Sequence, residues 1–292
     1  MLERRPFGDT GLDVSIVGLG AGQIGESDVT EPEAAEVLNG ALDLGVTLID
    51  TAASYGLSEE RIGRHLGGRR DEFVLSTKGG PKINGHRDWT PGSVLASIER
   101  SLRLTRSERI DIFYLHSCPI EILRRGELQD TLDQAVAAGK IGIAGYSGDN
   151  EPLAFAVDSG RFAAIETSVS LADQWNLRNV LRRRPELGVI AKRPIANAPW
   201  RFIDRPTGNY AELYWERLKA LELDPRDMDW TEFALRFTVY APGVHTAIFG
   251  TAKVAHLRRN ITAASRGPLP AAALEGIDRA WRDVGSDWPA ST

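Results

Sequence analysis

The chain has 292 residues, a formal net charge of −5 and a sequence pI near 5.7; that is long enough for one large core and too acidic for the electrostatic footprint of a nucleic-acid binder. No apolar run approaches the roughly 20 residues that span a bilayer, and the start "MLERRPFGDTG" lacks the apolar core of a secretion signal, so a soluble cytoplasmic protein is expected. The single cysteine, Cys118, excludes an internal disulfide framework, and the five histidines show no metal-ligand spacing, so no metal is expected.

In chain order, "RRPF" and "LDVS" flank the turn "GDTG" and predict a small hairpin. Eight short apolar runs follow, at 14–19, 46–50, 73–77, 110–116, 141–146, 164–168, 188–192 and 245–249, each succeeded by a helical pattern. The first helix carries a capping box, Thr30 with Glu33 three residues on, and stops at Gly45, where a C-terminal glycine belongs. A later helix opens on Thr90 as cap, with Pro91 in the first helical position, where its missing N–H costs nothing. Arg182 to Arg184 read as a solvated helix end.

No Ser/Gly linker and no break in composition interrupts the alternation. A single closed (β/α)8 TIM barrel over residues 1–292 is therefore expected, with the hairpin plugging its base. Residues 195–209, "IANAPWRFIDRPTGN", form the longest irregular stretch; such loops are usually functional or mobile, and this one belongs over the mouth.

Active sites of these barrels lie at the C-terminal ends of the strands. Asp50, Lys78 and His116 each close an apolar run, and Tyr55 stands on the loop just past Asp50. A phenol ordinarily ionises near 10, and a close ammonium lowers that value. Lys78 is placed to do this for Tyr55, Asp50 to hold Lys78, and His116 to orient a carbonyl oxygen by hydrogen bonding. The set suits general-acid reduction of a carbonyl.

"DTAASYGLSEERIG", "LSTKGG", "DIFYLHS" and "GKIGIAGYSGD", in that order and spacing, resemble the aldo-keto reductases over essentially the whole chain, through "GTAKVAHLRRN". The resemblance implies NADPH bound in extended form, NADH being less expected, and transfer of hydride to an aldehyde or ketone. It implies Tyr55 as general acid, Lys78 and Asp50 tuning it, and His116 orienting the substrate. Ser147 matches the serine that holds the nicotinamide carboxamide. Gly148 replaces the usual asparagine, Glu166 a common glutamine, and Lys192, next to Arg193, the stacking aromatic. These residues are assigned to the cofactor pocket. Gly250 and Thr251 fall at the adenosine-phosphate turn, Lys253 and His256 at the 2′-phosphate and Asn260 near the adenine; a helix N-terminus there favours phosphate.

Blander readings exist for several residues. Cys118 is expected as a small buried apolar residue, and His65 and His86 facing solvent. Trp89, Trp175 and Trp200 fall in predicted loops, lining a substrate pocket or packing the core. "GAGQIG", Gly20 to Gly25, fits the Rossmann dinucleotide fingerprint, but the capping box delays the helix to Glu31 and Asp50 stands farther on than the roughly 20 residues that fold uses. Two other functions compete: a Schiff-base lyase using Lys192, and a nicotinamide-binding sensor or partner subunit with slow turnover. A monomer or weak homo-oligomer is expected.

Overall fold

Runs buried on both faces, each followed by a helix, pair as parallel strands because the helix carries the chain back across the sheet. A computed structural model of the chain describes residues 2–291. Its strands are β1 (Arg4–Pro6), β2 (Asp13–Ser15), β3 (Val17–Gly20), β4 (Leu48–Asp50), β5 (Val74–Gly79), β6 (Ile110–His116), β7 (Ile141–Ser147), β8 (Ala164–Ser168), β9 (Gly188–Lys192) and β10 (Thr246–Gly250). Its helices are α1 (Glu31–Asp43), α2 (Ser58–Leu66), α3 (Pro91–Thr105), α4 (Ile120–Leu123), α5 (Glu127–Ala137), α6 (Asn150–Asp158), α7 (Trp175–Asn179), α8 (Glu212–Leu221), α9 (Trp230–Val239), α10 (Val254–Ala264) and α11 (Ala271–Ala280). Strands β3 to β10 close in sequence order into a parallel barrel, β10 pairing with β3. Among the described residues no helix is long and apolar enough to cross a membrane.

Strand limits differ from the sequence reading where side chains intervene. The predicted run 14–19 is two strands. Ser15 Oγ donates to the Val17 carbonyl at 2.7 Å and accepts from Thr47 N–H at 2.9 Å, which turns the chain between β2 and β3. Strand β5 runs on to Gly79, so Lys78 lies within the ladder rather than past it. Both capping boxes form, at Thr30–Glu33 and Thr90–Ser93, and Gly45 follows α1 with φ +88°, a conformation that glycine adopts without steric cost.

The hairpin β1–β2 lies across the closed end, where Phe7 and Val14 join Leu48, Ile112, Tyr114, Ile143, Ala164, Ile190 and Ile248 in the barrel interior. A Cβ on Gly188 would stand 2.3 Å from the Phe7 ring, so glycine is what admits the plug. The Tyr114 hydroxyl is fully buried without a hydrogen-bond partner, and burial, then Glu166 and Asp50, push its phenol well above its ordinary value. Leaving a buried hydroxyl unpaired costs about 1–3 kcal/mol. Tyr114→Phe is therefore expected to be neutral or stabilising by about 1 kcal/mol in denaturant titration; a marked loss of stability would show that the hydroxyl has a partner.

At the open end, residues 195–209 are irregular apart from one 3₁₀ turn, Pro199–Arg201. Arg193, Ala196, Asn197 and Ala198 hold φ values of +57°, +47°, +59° and +50°. Non-glycine residues enter this left-handed region at a cost of about 1–2 kcal/mol each, and such strain concentrates at ligand clamps and active sites. The loop is fastened by the Thr238 hydroxyl, which donates to the Pro194 carbonyl at 3.2 Å, and by Trp200 stacked on Trp230 with centroids 5.8 Å apart.

Candidate active site

The turn after β4 is built to fix Tyr55. Its N–H donates to the Ala52 carbonyl at 3.0 Å, and its carbonyl accepts from Ser58 N–H at 2.9 Å. The segment "GAGQIG" is the other half of this construction. A Cβ on Gly25 would lie 1.9 Å from the Tyr55 carbonyl oxygen, and one on Gly22 would touch the Tyr55 ring at 3.5 Å. These glycines serve close backbone approach, not a phosphate turn. Behind them Arg61 is buried and donates to the carbonyls of Ile24, Glu26 and Val29 and to Glu31. Glu59, also buried, accepts from Thr77, Ser101 and Arg100, tying α2 to β5 and α3. Two residues of an apparently charged helix thus brace the tyrosine turn from inside.

Lys78 and Asp50 meet beneath Tyr55, both buried. Lys78 Nζ donates to Asp50 Oδ2 at 2.5 Å and to the Thr51 carbonyl at 3.0 Å, while Ser76 Oγ donates to Asp50 Oδ1 at 2.7 Å. Glu166 is a second counter-ion: its Oε2 lies 2.9 Å from Lys78 Nζ, an ion pair without an assigned hydrogen bond. Burial, then Glu166, raise the Asp50 carboxyl to about 7 against the pull of Lys78. Lys78 itself, although burial opposes its charge, is raised further by the two carboxylates and stays an ammonium.

The phenol of Tyr55 responds to the sum of these charges. Its ring centroid is 5.6 Å from Lys78 Nζ and 5.9 Å from the His116 ring, which it meets edge to face at 85°. Lys78 lowers the Tyr55 pKa, as the sequence reading expects, but burial, Glu166 and Asp50 together outweigh it and the net direction is upward. The correction follows from burial first and then from the two carboxylates that stand beside Lys78. His116 is held down to about 4, first by burial and then by Lys78, so at neutral pH it is an imidazole with one N–H to give.

Asp50, Tyr55 and His116 line a cavity of about 1210 Å³ that runs past Ser147, Glu166 and Lys192 to Lys253 and His256, with Lys78 buried behind its wall. Ser147 and Glu166 are Cα partners on β7 and β8. Ser147 Oγ and Glu166 Oε2 are both buried without a hydrogen-bond partner. Lys192 Nζ is matched by Asp149 Oδ2 at 2.9 Å. Burial raises the Asp149 carboxyl, but Lys192 and the donors Ser168 N–H and Thr167 hold it below its ordinary value. At the far end no side chain caps α10; Thr251 accepts from Lys253 N–H at 3.0 Å, and Asn260 Oδ1 is buried and unpaired.

The Aldo/keto reductase family model matches residues 16–282. The chain belongs to the aldo-keto reductase family. It is accordingly an oxidoreductase that works with a nicotinamide cofactor, and its closed barrel is that of the family. It is 26% identical to an uncharacterized oxidoreductase, YqkF, of Bacillus subtilis, over 90% of this chain and 92% of the relative. A candidate aldo-keto reductase of Pseudomonas aeruginosa is similar in structure at 29% identity, with a TM-score of 0.73 over 90% of this chain and 95% of that one. The holo form of aldo-keto reductase AKR11C1 from Bacillus halodurans shares the fold, with a TM-score of 0.83 over 96% of each chain at 24% identity.

This aldo-keto reductase departs from its family's pattern for identifiable reasons. A Cβ on Gly148 would stand 2.6 Å from the Tyr146 hydroxyl, which donates to the Cys118 carbonyl at 3.1 Å, so an asparagine does not fit there. Lys192 stands where the family's stacking aromatic is expected and is tied to Asp149 at 2.9 Å. Arg193, adjacent in sequence, also lines the cavity. Its guanidinium donates to the Ser291 carbonyl at 2.7 Å, to Ser168 Oγ at 3.2 Å and to the Tyr210 hydroxyl, pinning the C-terminal segment beside the cavity.

Other expectations divide. Gly250, Thr251, Lys253, His256 and Asn260 line the cavity, and so does Trp200. Trp89 packs against the core and Trp175 opens α7, so neither lines it. His65 does not face solvent, since Nε2 meets Glu31 Oε2 at 2.9 Å, whereas His86 does. Cys118 is buried and its thiol is pushed up to about 12 by burial. Gln23, Asp149 and Arg259 also line the cavity and were not singled out from sequence. Arg259 was findable: three residues past His256 on α10, it shares that residue's face.

Proposed function

We propose that this protein reduces an aldehyde or ketone to the alcohol with NADPH, Tyr55 donating the proton to the carbonyl oxygen. The observation that carries this reading is the pairing of a proton-holding tyrosine with a neutral histidine, edge to face, above a buried lysine. A substrate oxygen between Tyr55 and His116 accepts a hydrogen bond from each, and the Lys78 ammonium beneath favours the phenolate left behind after proton transfer. The nicotinamide, when bound, supplies the hydride.

The residues present fit such a cofactor. Buried polar groups are ordinarily hydrogen-bonded, yet Ser147 Oγ and Asn260 Oδ1 have no partner and Glu166 Oε2 has only the ion pair with Lys78, and all three residues line the same cavity. A carboxamide satisfies Ser147 and Glu166, accepting from the Ser147 hydroxyl and donating to the Glu166 carboxylate; the adenine amino group suits Asn260. Lys253, His256 and Arg259 lie where the 2′-phosphate would meet positive charge beside the start of α10. Substrate choice falls to residues following His116, to the strained loop with Trp200 and to the C-terminal segment.

Quenching of tryptophan fluorescence by NADPH and by NADH, titrated separately, tests this. NADPH should bind at least about tenfold more tightly, and Lys253→Ala should reduce most of that margin while leaving NADH binding nearly unchanged, since only the phosphorylated cofactor brings the charge. Equal binding of both would remove Lys253 and His256 from a phosphate role; binding of neither would remove the nicotinamide. Turnover well below about 1 s⁻¹ with every carbonyl tried, cofactor bound, would favour a sensor instead.

A further inference from the structure

Lys78 is one cation between two carboxylates, with Nζ 2.5 Å from Asp50 and 2.9 Å from Glu166 and all three side chains at most 2% exposed. Asp50 is the better served of the two. It accepts from Lys78 and from Ser76, whereas Glu166 Oε2 accepts no hydrogen bond. The cavity wall therefore carries a surplus negative charge at Glu166. Burying charge that is only partly compensated is unfavourable unless something in the site answers it. The other cations lining the cavity do not, because Lys192 is matched by Asp149 at 2.9 Å and Arg193 donates to Ser291, Ser168 and Tyr210 rather than to Glu166.

If hydrogen bonding to an amide were all that Glu166 supplied, the charge would not be required, since a neutral side-chain carbonyl of the same length also accepts. What a carboxylate adds is attraction for a cation. The carboxamide of a nicotinamide is bonded to a ring that is neutral when reduced and carries unit positive charge when oxidised. Resting on the nicotinamide reading above, we propose that Glu166 is a redox-state selector: it makes the site hold the oxidised, cationic form of the cofactor in preference to the reduced form. In carbonyl reduction the spent cofactor is then the tightly held partner, and its release is slowed by the same charge.

The test is the ratio of NADPH to NADP⁺ dissociation constants, measured by fluorescence quenching or calorimetry without substrate. The measurement is made at about pH 8.5, above the value of about 7 to which Asp50 is raised, so that a change in Asp50 protonation does not enter the ratio. The unaltered protein should bind NADP⁺ more tightly than NADPH. Glu166→Gln should shift the ratio toward NADPH by about tenfold or more, the scale of a unit charge acting over several ångström in a partly screened cavity. Ser147→Ala, which removes a carboxamide contact but no charge, should weaken both forms alike and leave the ratio where it was. A ratio unchanged within about twofold in Glu166→Gln, with both forms still bound, would overturn the proposal while leaving the nicotinamide reading intact. Failure of the unaltered protein to bind either form would overturn both. Should Glu166→Gln not fold, the unaltered protein still decides: NADPH bound about tenfold more tightly than NADP⁺ is incompatible with the proposal.

Discussion

Tyr55→Phe is expected to leave NADPH binding within about twofold and to lower reductive turnover by about 10²–10⁴-fold, the usual worth of a positioned general acid. The substitution removes one oxygen and keeps the ring that meets His116 at 85° and Gly22 at van der Waals distance, so the turn fixed by Gly25 and Arg61 should persist. The remaining candidate donor does not replace it. His116 is held to about 4, so near neutrality it offers a neutral N–H, able to orient a carbonyl and a poor source of a proton.

The pH profile adds a second check. An acid loses its proton as pH rises through its pKa, and burial with Glu166 and Asp50 carries the Tyr55 phenol above its ordinary 10 despite Lys78. Reductive turnover should therefore show no alkaline loss attributable to Tyr55 until above pH 10, and that loss should vanish in Tyr55→Phe along with most of the rate. Turnover retained in the phenylalanine variant would sink Tyr55 as the acid and leave His116 or a bound water in its place.

What the sequence disclosed, and what it hid, follows from the range of the interactions concerned. Barrel order, the Thr30–Glu33 capping box, the Thr90 cap and the convergence of Asp50, Lys78 and His116 were legible because each depends on local sequence pattern plus one rule about strand ends. Charge balance was not legible. Whether Lys78 lowers or fails to lower Tyr55 depends on Glu166, 88 residues downstream and three strands away from β5, whose distance from Nζ only the closed barrel sets. The same holds for Arg61 and Glu59, two charged residues of α2 whose burial no local pattern announces. They are buried because the loop at residues 24–29 and helix α3 fold over them. The "GAGQIG" segment misleads for a related reason, since a glycine needed for close approach to another carbonyl is indistinguishable in sequence from one needed for a phosphate.

Lys78→Met should be the most damaging single substitution in the site. Methionine keeps the length of the stem and removes the only cation between Asp50 and Glu166, leaving two buried carboxylates with no counter-ion. Breaking a buried pair in this way typically costs about 3–5 kcal/mol, and turnover should fall with it because the cation that most favours the phenolate is gone. The sign of the pH dependence separates this cause from simple misfit. Without Lys78, burial and mutual repulsion must raise both carboxyls in the folded state above their unfolded values. A group whose folded pKa is raised contributes stability that is present at low pH and lost as pH rises through the folded value. The stability deficit of Lys78→Met should accordingly be largest at alkaline pH and shrink on acidification, and adding Glu166→Gln should recover part of it at high pH by removing one of the two charges. A deficit independent of pH in denaturant titrations, or no rescue by the second substitution, would mean that packing around the stem, and not the ion triad, holds this part of the barrel together.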